Sequence, residues 1–378
     1  MALFLLTFFA VYGGVHVYAF FKARAALGFG WGVGVIVVLW MVFMTTAPVL
    51  VRLLERGGLE RAARLLALVG YSWMGLLFLF FSVAFFFDML RLVLLLAGSI
   101  LALPVPRISH HTAFGLPLVL AFIIMVYGSF EARRIGKEVF TIETSKISPA
   151  VGRVRIVQIS DVHVGLIVRE ERLKKILDQV IEAEPDLLVS TGDLVDGQMD
   201  NMAGLAELLN SVNAKYGKYA VTGNHEYYAG LNHSLNFTKQ SGFTLLRNEG
   251  HELPMGITLV GVDDPTGEAM GAAGTVSEKR LLSVRNPDTF TILLKHRPVV
   301  HAESRGLFDL QLSGHVHKGQ IFPFNLLTRL AYPQPVATLV RDKGSYLYVS
   351  PGSGTWGPPI RFLAPPEVTV IDLVYGAP

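Results

Sequence analysis

The chain has 378 residues, with 33 Lys and Arg against 30 Asp and Glu for a net charge of +3, and no cysteine. Zero cysteines exclude disulfides, thiolate metal ligands and cysteine nucleophiles, and the small basic surplus, gathered beside apolar runs, argues for membrane flanks rather than a nucleic-acid partner. The mean hydropathy of +0.45 is too apolar for an ordinary soluble protein, and the excess is local: residues 1 to 130 carry long apolar runs, whereas residues 151 to 378 read as a globular domain able to bury a substantial core.

A helix of about 20 apolar residues crosses a bilayer. Four segments qualify: Ala2 to Phe21, Gly32 to Leu54, Leu65 to Phe87 and Ala113 to Phe130. A fifth, Met89 to Leu103, is shorter and carries Arg91, which leaves a short span, an interfacial helix and a continuation of the third segment all open. The first segment lacks a basic start and a small-residue cleavage site, so it reads as an anchor and not a cleaved signal. His16 and Asp88 are costly against lipid; His16 is expected between helices with a hydrogen-bond partner, and Asp88 at headgroup level. Gly13, Gly14, Gly28, Gly30, Gly32 and Gly34 are expected to permit close helix approach or a flexible connection. With four spans, Arg52, Arg56, Arg61, Arg64, Arg133, Arg134 and Lys137 share a side with the following domain, which the positive-inside tendency makes cytoplasmic; a fifth span would erase that bias.

Residues 131 to 150 turn to mixed charge and read as a linker ahead of the domain at 151 to 378. There a strand at 153 to 160 precedes a helical pattern from Arg169, with Leu173, Ile176, Leu177, Val180 and Ile181 on one face. Pro185 stops that helix before a strand at 186 to 191. A second helix around Met202 to Val212 leads to a strand at 218 to 222, and a third over Leu231 to Ser241 to strands at 243 to 247 and 257 to 262. Alternation of helix and strand followed by strand-rich sequence predicts an α/β sandwich, two packed sheets with helices outside.

Chemistry-bearing residues stand where these apolar runs end. The pieces are Asp161 with His163, Gly192-Asp193 with Asp196, Gly223-Asn224-His225-Glu226, Lys295-His296, and Gly314-His315 with His317. Any one is common by chance; five in order at strand ends form a signal. Carboxylate and amide oxygens mixed with imidazoles suit two divalent ions such as Mn, Fe or Zn. Side chains two apart on an extended segment share a side, so Asp161 and His163 can grip one ion, and His315 and His317 can each reach a different one. Asp193 follows a glycine that allows a sharp turn, and its two carboxylate oxygens make it the natural bridging ligand.

From about Ile156 onward, these motifs together with GHVHKGQ and the tail SPGSGTWGPPIRFLAPPEVTVIDL resemble the calcineurin-like metallophosphoesterase superfamily, in its membrane-associated bacterial branch. The resemblance implies a four-layer α/β sandwich behind the multi-span helical domain. It also implies one metal on Asp161, His163, Asp193 and His317, a second on Asp193, Asn224, His296 and His315, and His225 as the non-ligand histidine beside the phosphate. Lys318 stands where many relatives carry glycine; with Asn224 it is the candidate substrate contact. Asp196 is expected in a turn or behind the ligands, and Glu226 is expected to orient His225. His233, His251 and His301 read as ordinary surface or packing histidines.

Two cations about 3.5 to 4 Å apart activate a water and offset charge on an in-line phosphoryl transition state. The expected reaction is attack of a metal-bound hydroxide on phosphorus, with His225 protonating the leaving alkoxide or stabilising its charge. The chain is thus expected to be a multi-pass protein of a bacterial inner membrane, a phosphoesterase or pyrophosphatase of a lipid-linked or membrane-proximal phosphate. The alternatives are a tethered hydrolase of a soluble phosphoester and a non-catalytic metal-binding scaffold, the latter opposed by the complete ligand set. The apolar segment 320 to 340 is either a cover for the core or a surface that enters the bilayer or grips an acyl chain.

Overall fold

A computed structural model describes residues 2–197, 202–272 and 276–376. The chain divides into two compact units, Met1–Phe130 with Gly357–Ile360, and Glu131–Trp356 with Arg361–Pro378.

Among its described residues the first unit holds four helices long and apolar enough to cross a membrane: α1 (Ala2–Leu27), α2 (Trp31–Arg56), α3 (Glu60–Leu101) and α4 (His110–Glu131). The fifth apolar segment is no separate span. It continues α3 without a break, because nothing between Phe87 and Met89 stops a helix, and the resulting 42 residues extend about 63 Å, roughly twice the hydrocarbon thickness. His16 is buried as expected, with Nδ1 2.8 Å from the Tyr12 carbonyl and Nε2 accepting from Trp73 at 2.9 Å. Asp88 accepts from Tyr18 and from Lys22 of α1, both at 2.6 Å, so its charge is met by a helix-to-helix ion pair. Of the glycines so read, Gly28 and Gly30 fall in the α1–α2 connection and Gly34 faces Phe20 of α1, while space is open beside Gly13, Gly14 and Gly32; the tighter approach is at Gly70, where a Cβ would stand 2.9 Å from that of Ala47, bringing α3 close to α2.

Among its described residues the second unit has twelve strands: β1 (Gly136–Thr144), β2 (Arg153–Ile159), β3 (Leu187–Ser190), β4 (Lys218–Ala220), β5 (Thr244–Leu245), β6 (Glu249–Leu253), β7 (Ile257–Val262), β8 (Phe290–Lys295), β9 (Leu310–Ser313), β10 (Val340–Asp342), β11 (Ser345–Val349) and β12 (Glu367–Tyr375). They form two six-stranded sheets, ordered β1-β12-β2-β3-β4-β5 and β10-β11-β9-β8-β7-β6. The segment read as a linker carries β1, an edge strand parallel to β12 with Val139 opposite Val370. Its charges concealed an alternation in which Phe140, Ile142 and Thr144 turn inward and Val139, Thr141 and Glu143 outward.

The period of two sorts the core. Ile156, Leu187 and Val189 of the first sheet meet Leu259, Ile292, Leu294 and Leu312 of the second between the layers. Val157, Ile159 and Leu188 face the other way, against α5 (Glu170–Glu182), α6 (Ala203–Asn210) and α8 (Leu231–Gln240). Helix α5 buries Leu173, Ile176, Leu177 and Val180, but Ile181 falls outside the stripe and is 54% exposed. Between α6 and α8 lies the short α7 (Asn224–Tyr228); α9 (Thr266–Ala269), α10 (Glu278–Ser283) and α11 (Phe324–Ala331) follow. Because β2, β3 and β4 run parallel, as do β7, β8 and β9, the C-terminal ends of each set share one edge.

Candidate metal centre

That edge gathers every predicted ligand. Asp161 and His163 follow β2, Asp193 follows β3, Asn224 and His225 open α7 after β4, His296 follows β8, and His315 and His317 follow β9. Asp161, His163 and His317 offer ligand atoms within 4.8 Å of one another, and so do Asp193, His296 and His315. His163, Asp193 and His225 form a third such group. All but His315 are buried.

The backbone reaches this arrangement by a route other than the expected extended segments. Asp161, His163, Asp193, His315 and His317 have φ of 51°, 53°, 51°, 75° and 48°, the left-handed region that L-residues avoid at a cost on the order of 1 to 3 kcal/mol each. Their turns are held by hydrogen bonds: the Asp161 carboxylate accepts from the His315 N–H at 3.0 Å and from Ser160 at 2.5 Å, and Asp193 Oδ1 accepts from the His225 N–H at 2.8 Å. Gly192 has φ +94° and passes so close to Gly223 that a Cβ would lie 2.6 Å from its nitrogen; a Cβ on Gly223 would strike Asp193 Oδ1. Both glycines are therefore required by the approach of the two loops.

Unshared electron pairs converge on two points. His163 Nε2 and His317 Nε2 are 3.1 Å apart, with Asp161 Oδ1 3.3 Å from the latter. His296 Nε2 lies 3.2 Å from His315 Nδ1 and 3.2 Å from Asp193 Oδ2. Asn224 Oδ1 is enclosed and has no hydrogen-bond partner among the described residues. A buried acceptor without a donor is costly, and clustered acceptors of this hard and borderline type are what a divalent cation satisfies; the residues fit the group.

Charge in the cluster follows the same logic. Burial works against a proton on His296, but Asp193 outweighs it and lifts the imidazole to about 10. His225 is likewise disfavoured by burial and raised to about 9 by Asp193 and by Asp196, whose backbone carbonyl lies 2.7 Å from Nδ1. Burial, then the His296 charge, pushes His315 down to about 3, and burial with His163 holds His317 well below its usual value. Burial would raise Asp193, yet His296 and His225 hold it well below the carboxylate range. Protons on His296 and His225 thus offset the carboxylates.

One expectation changes. Glu226 does not orient His225; its carboxylate accepts from the backbone N–H groups of Gly223, Leu194 and Asp193 at 2.6, 2.8 and 3.0 Å, tying the two ligand-bearing loops together. Asp196 stands behind the cluster and orients His225, its Oδ1 3.3 Å from Nδ1. Lys318 adopts φ +53°, a conformation that glycine takes most readily. His233, His251 and His301 are exposed and outside these three groups.

Sequence reading missed Arg361. It is fully buried, donates to the carbonyls of Pro351, Gly352, Gly354 and Ala364, and places Nη2 3.4 Å from His317 Nδ1. The tail it braces in turn donates from Ser353 and Gly354 to the carbonyls of Ser160 and Asp161. The rings of Tyr228 and Trp356 stand 5.5 and 5.9 Å from His225, and that of Tyr332 stands 5.1 Å from His315; only the crowding of aromatics around the motifs hinted at them.

Residues 154–319 match the profile of the calcineurin-like phosphoesterase family. An uncharacterized metallophosphoesterase of Aquifex aeolicus is 38% identical over 257 residues, 68% of this chain and 98% of that one. Another from Helicobacter pylori is 36% identical over 223 residues, 58% of this chain and 60% of its own length. A transmembrane protein with metallophosphoesterase domain from Danio rerio is 31% identical over 325 residues, 82% of this chain and 74% of that one.

Proposed function

We propose, for a chain that belongs to the calcineurin-like phosphoesterase family and is therefore a metal-dependent phosphoester hydrolase with membrane helices, that the substrate is a phosphate ester presented at the bilayer surface, a lipid-linked phosphate above all. The observation that carries this reading is α11. None of its residues is buried, and Phe324, Leu326, Leu327 and Leu330 are exposed, Leu330 to 83%. An exposed helix of Phe and Leu interrupted by Arg329 has the composition of an interfacial helix. It begins seven positions after His317 and ends beside Tyr332, whose ring lies against His315. An acyl chain or the membrane itself is the apolar partner that such a surface beside the reaction centre suits.

Two divalent ions, Mn, Fe or Zn, are assigned to Asp161, His163, Asp193 and His317 and to Asp193, Asn224, His296 and His315. When bound, such a pair supplies an activated water and neutralises charge on the phosphoryl oxygens. Asp193 is the shared ligand, with Oδ1 oriented by the His225 N–H and Oδ2 facing His296. His225 holds a proton at neutral pH between Asp193 and Asp196. With Nδ1 engaged by the Asp196 carbonyl, its Nε2 proton is available to the leaving alkoxide. Asn224 and Lys318 are the proposed contacts to the phosphate.

Sidedness follows from the helix count. Four spans put the basic residues around the α2–α3 turn, Arg52, Arg56, Arg61 and Arg64, on the side of the catalytic unit, so that unit faces the cytoplasm of a bacterial inner membrane by the positive-inside tendency. The test is substrate selectivity. Polar substitutions at Phe324, Leu326 and Leu327 should lower the ratio of kcat/KM on an acylated phosphoester to that on a small chromogenic one, since remote contacts aid only substrates that make them. An unchanged ratio would favour a tethered hydrolase of soluble phosphoesters.

A further inference from the structure

Two exposed rings stand beside the residue assigned to the leaving group. Tyr228 is 42% exposed and Trp356 50%, and each ring meets that of His225 steeply, with 68° and 79° between their planes. An edge-to-face contact takes the edge of one ring and one face of the other, so His225 covers at most one face of each.

Trp356 is fixed through its backbone. Gln320, the last residue of the GHVHKGQ run, is 8% exposed and grips it with both ends of the amide: Oε1 accepts from the Trp356 N–H at 2.9 Å, and Nε2 donates to the Trp356 carbonyl at 2.8 Å. Gln320 does so from φ +54°, a conformation that costs a non-glycine residue stability. The preceding Thr355 is buried and accepts from Arg172 at 2.8 Å, while the other arm of Arg172 donates to the Ala132 carbonyl. Burial of the indole does not explain this clamp, because half of the residue stays exposed. What the clamp achieves is to hold a large apolar face in one place beside the proposed proton donor, and an exposed apolar surface at a reaction centre marks a contact with substrate.

We infer that Trp356, with Tyr228 beside it, is the platform for a ring carried by the leaving alcohol of the phosphoester, and that Trp356 sets the preference for a ring-bearing alcohol over an open chain. The inference rests on the hydrolase reading above, with His225 as donor to the leaving alkoxide. The alcohol oxygen then lies at His225 Nε2, and a ring one carbon beyond it comes within reach of the indole, whose centroid is 5.9 Å from that of the imidazole. Trp and Tyr suit a flat partner, because two side-chain torsions fix a large contact area at small entropic cost. Aryl and pyranose rings share such a face, and the test separates them.

The test uses the full chain in detergent with Mn²⁺ and probes that all release a primary alcohol: the phosphate monoesters of benzyl alcohol, of the glucose 6-hydroxyl and of butanol, together with their methyl diesters. The quantity read is kcat/KM on a ring probe divided by that on the butyl probe of the same ester series, a ratio in which any general loss of folding or metal cancels. The wild type should favour a ring probe about tenfold, the scale of one ring stacked on an aromatic side chain. Preference for benzyl identifies an aryl alcohol, and preference for glucose a pyranose. Trp356→Leu, which keeps apolar bulk without a flat face, should remove most of the preference, and Trp356→Phe should keep most of it. A wild-type ratio near one overturns the inference whatever the variants do, and a ratio that survives Trp356→Leu overturns it too. Metal-dependent hydrolysis of bis(p-nitrophenyl) phosphate is measured alongside. Turnover without ring preference sinks the platform alone, whereas no turnover of any phosphoester sinks the hydrolase reading and the platform with it.

Discussion

Glu226→Gln should loosen the metal centre without touching a ligand. The Glu226 carboxylate joins the loop of Asp193 to that of Asn224 by accepting from three buried backbone N–H groups at 2.6 to 3.0 Å. A hydrogen bond to a charged group contributes about 1.5 to 3 kcal/mol. Glutamine keeps one acceptor oxygen and turns an NH2 toward donors on the other side, stranding one or two of them. The expected cost of about 3 kcal/mol corresponds to a roughly hundredfold rise in local opening. Hydrogen–deuterium exchange of peptides spanning residues 190 to 197 and 221 to 228 reads that opening directly, and the affinity for Mn²⁺ should fall in parallel because the same loops carry ligands. Exchange and affinity both within about twofold of the wild type would refute the clamp.

Asp193→Asn should release both ions and abolish hydrolysis, since a neutral amide replaces the proposed shared carboxylate; two ions retained at unchanged affinity on elemental analysis would remove Asp193 as the bridge. His225→Ala should keep both ions and lower kcat about 10²- to 10⁴-fold, and loss of metal in that variant would make His225 a ligand. Metal affinity should rise with pH: His296, raised to about 10 by Asp193, is protonated at neutral pH in the metal-free protein and must shed that proton to ligate, so affinity should gain up to about tenfold for each unit the pH rises toward that pKa. Calorimetric titration between pH 6 and 8 in buffers of different ionisation enthalpy measures the proton released; affinity flat with pH would contradict this charge balance.

The site was legible because metal chemistry admits few residue types. Asp161, His163, Asp193, Asn224, His296, His315 and His317 declared themselves by identity and by standing where apolar runs stop, and the structure brings those strand ends to one edge. Their conformation was not legible: an Asp-x-His spacing reads as extended chain, yet both residues turn through positive φ, a preference set by hydrogen bonds from residues some 150 positions away, such as His315 to Asp161. Arg361 was hidden because its partners, all within ten positions of it, are carbonyls that any sequence supplies, and Glu226 because its acceptors face backbone N–H groups. Strand β1 escaped because its exposed first half carries Lys137 and Glu138 and its outward face Glu143, so a half-buried edge looked like a linker. The continuation of α3 through Arg91 was one of three readings that composition alone left open, and unbroken helical geometry decided it.

Anomalous diffraction from crystals of the full chain loaded with Mn²⁺ would locate the cations themselves. Two peaks about 3.5 to 4 Å apart are expected, Asp193 between them, one flanked by Asp161, His163 and His317 and the other by Asn224, His296 and His315, with His225 coordinated to neither. A single peak, or a peak bound by His225, would contradict the two-cation assignment.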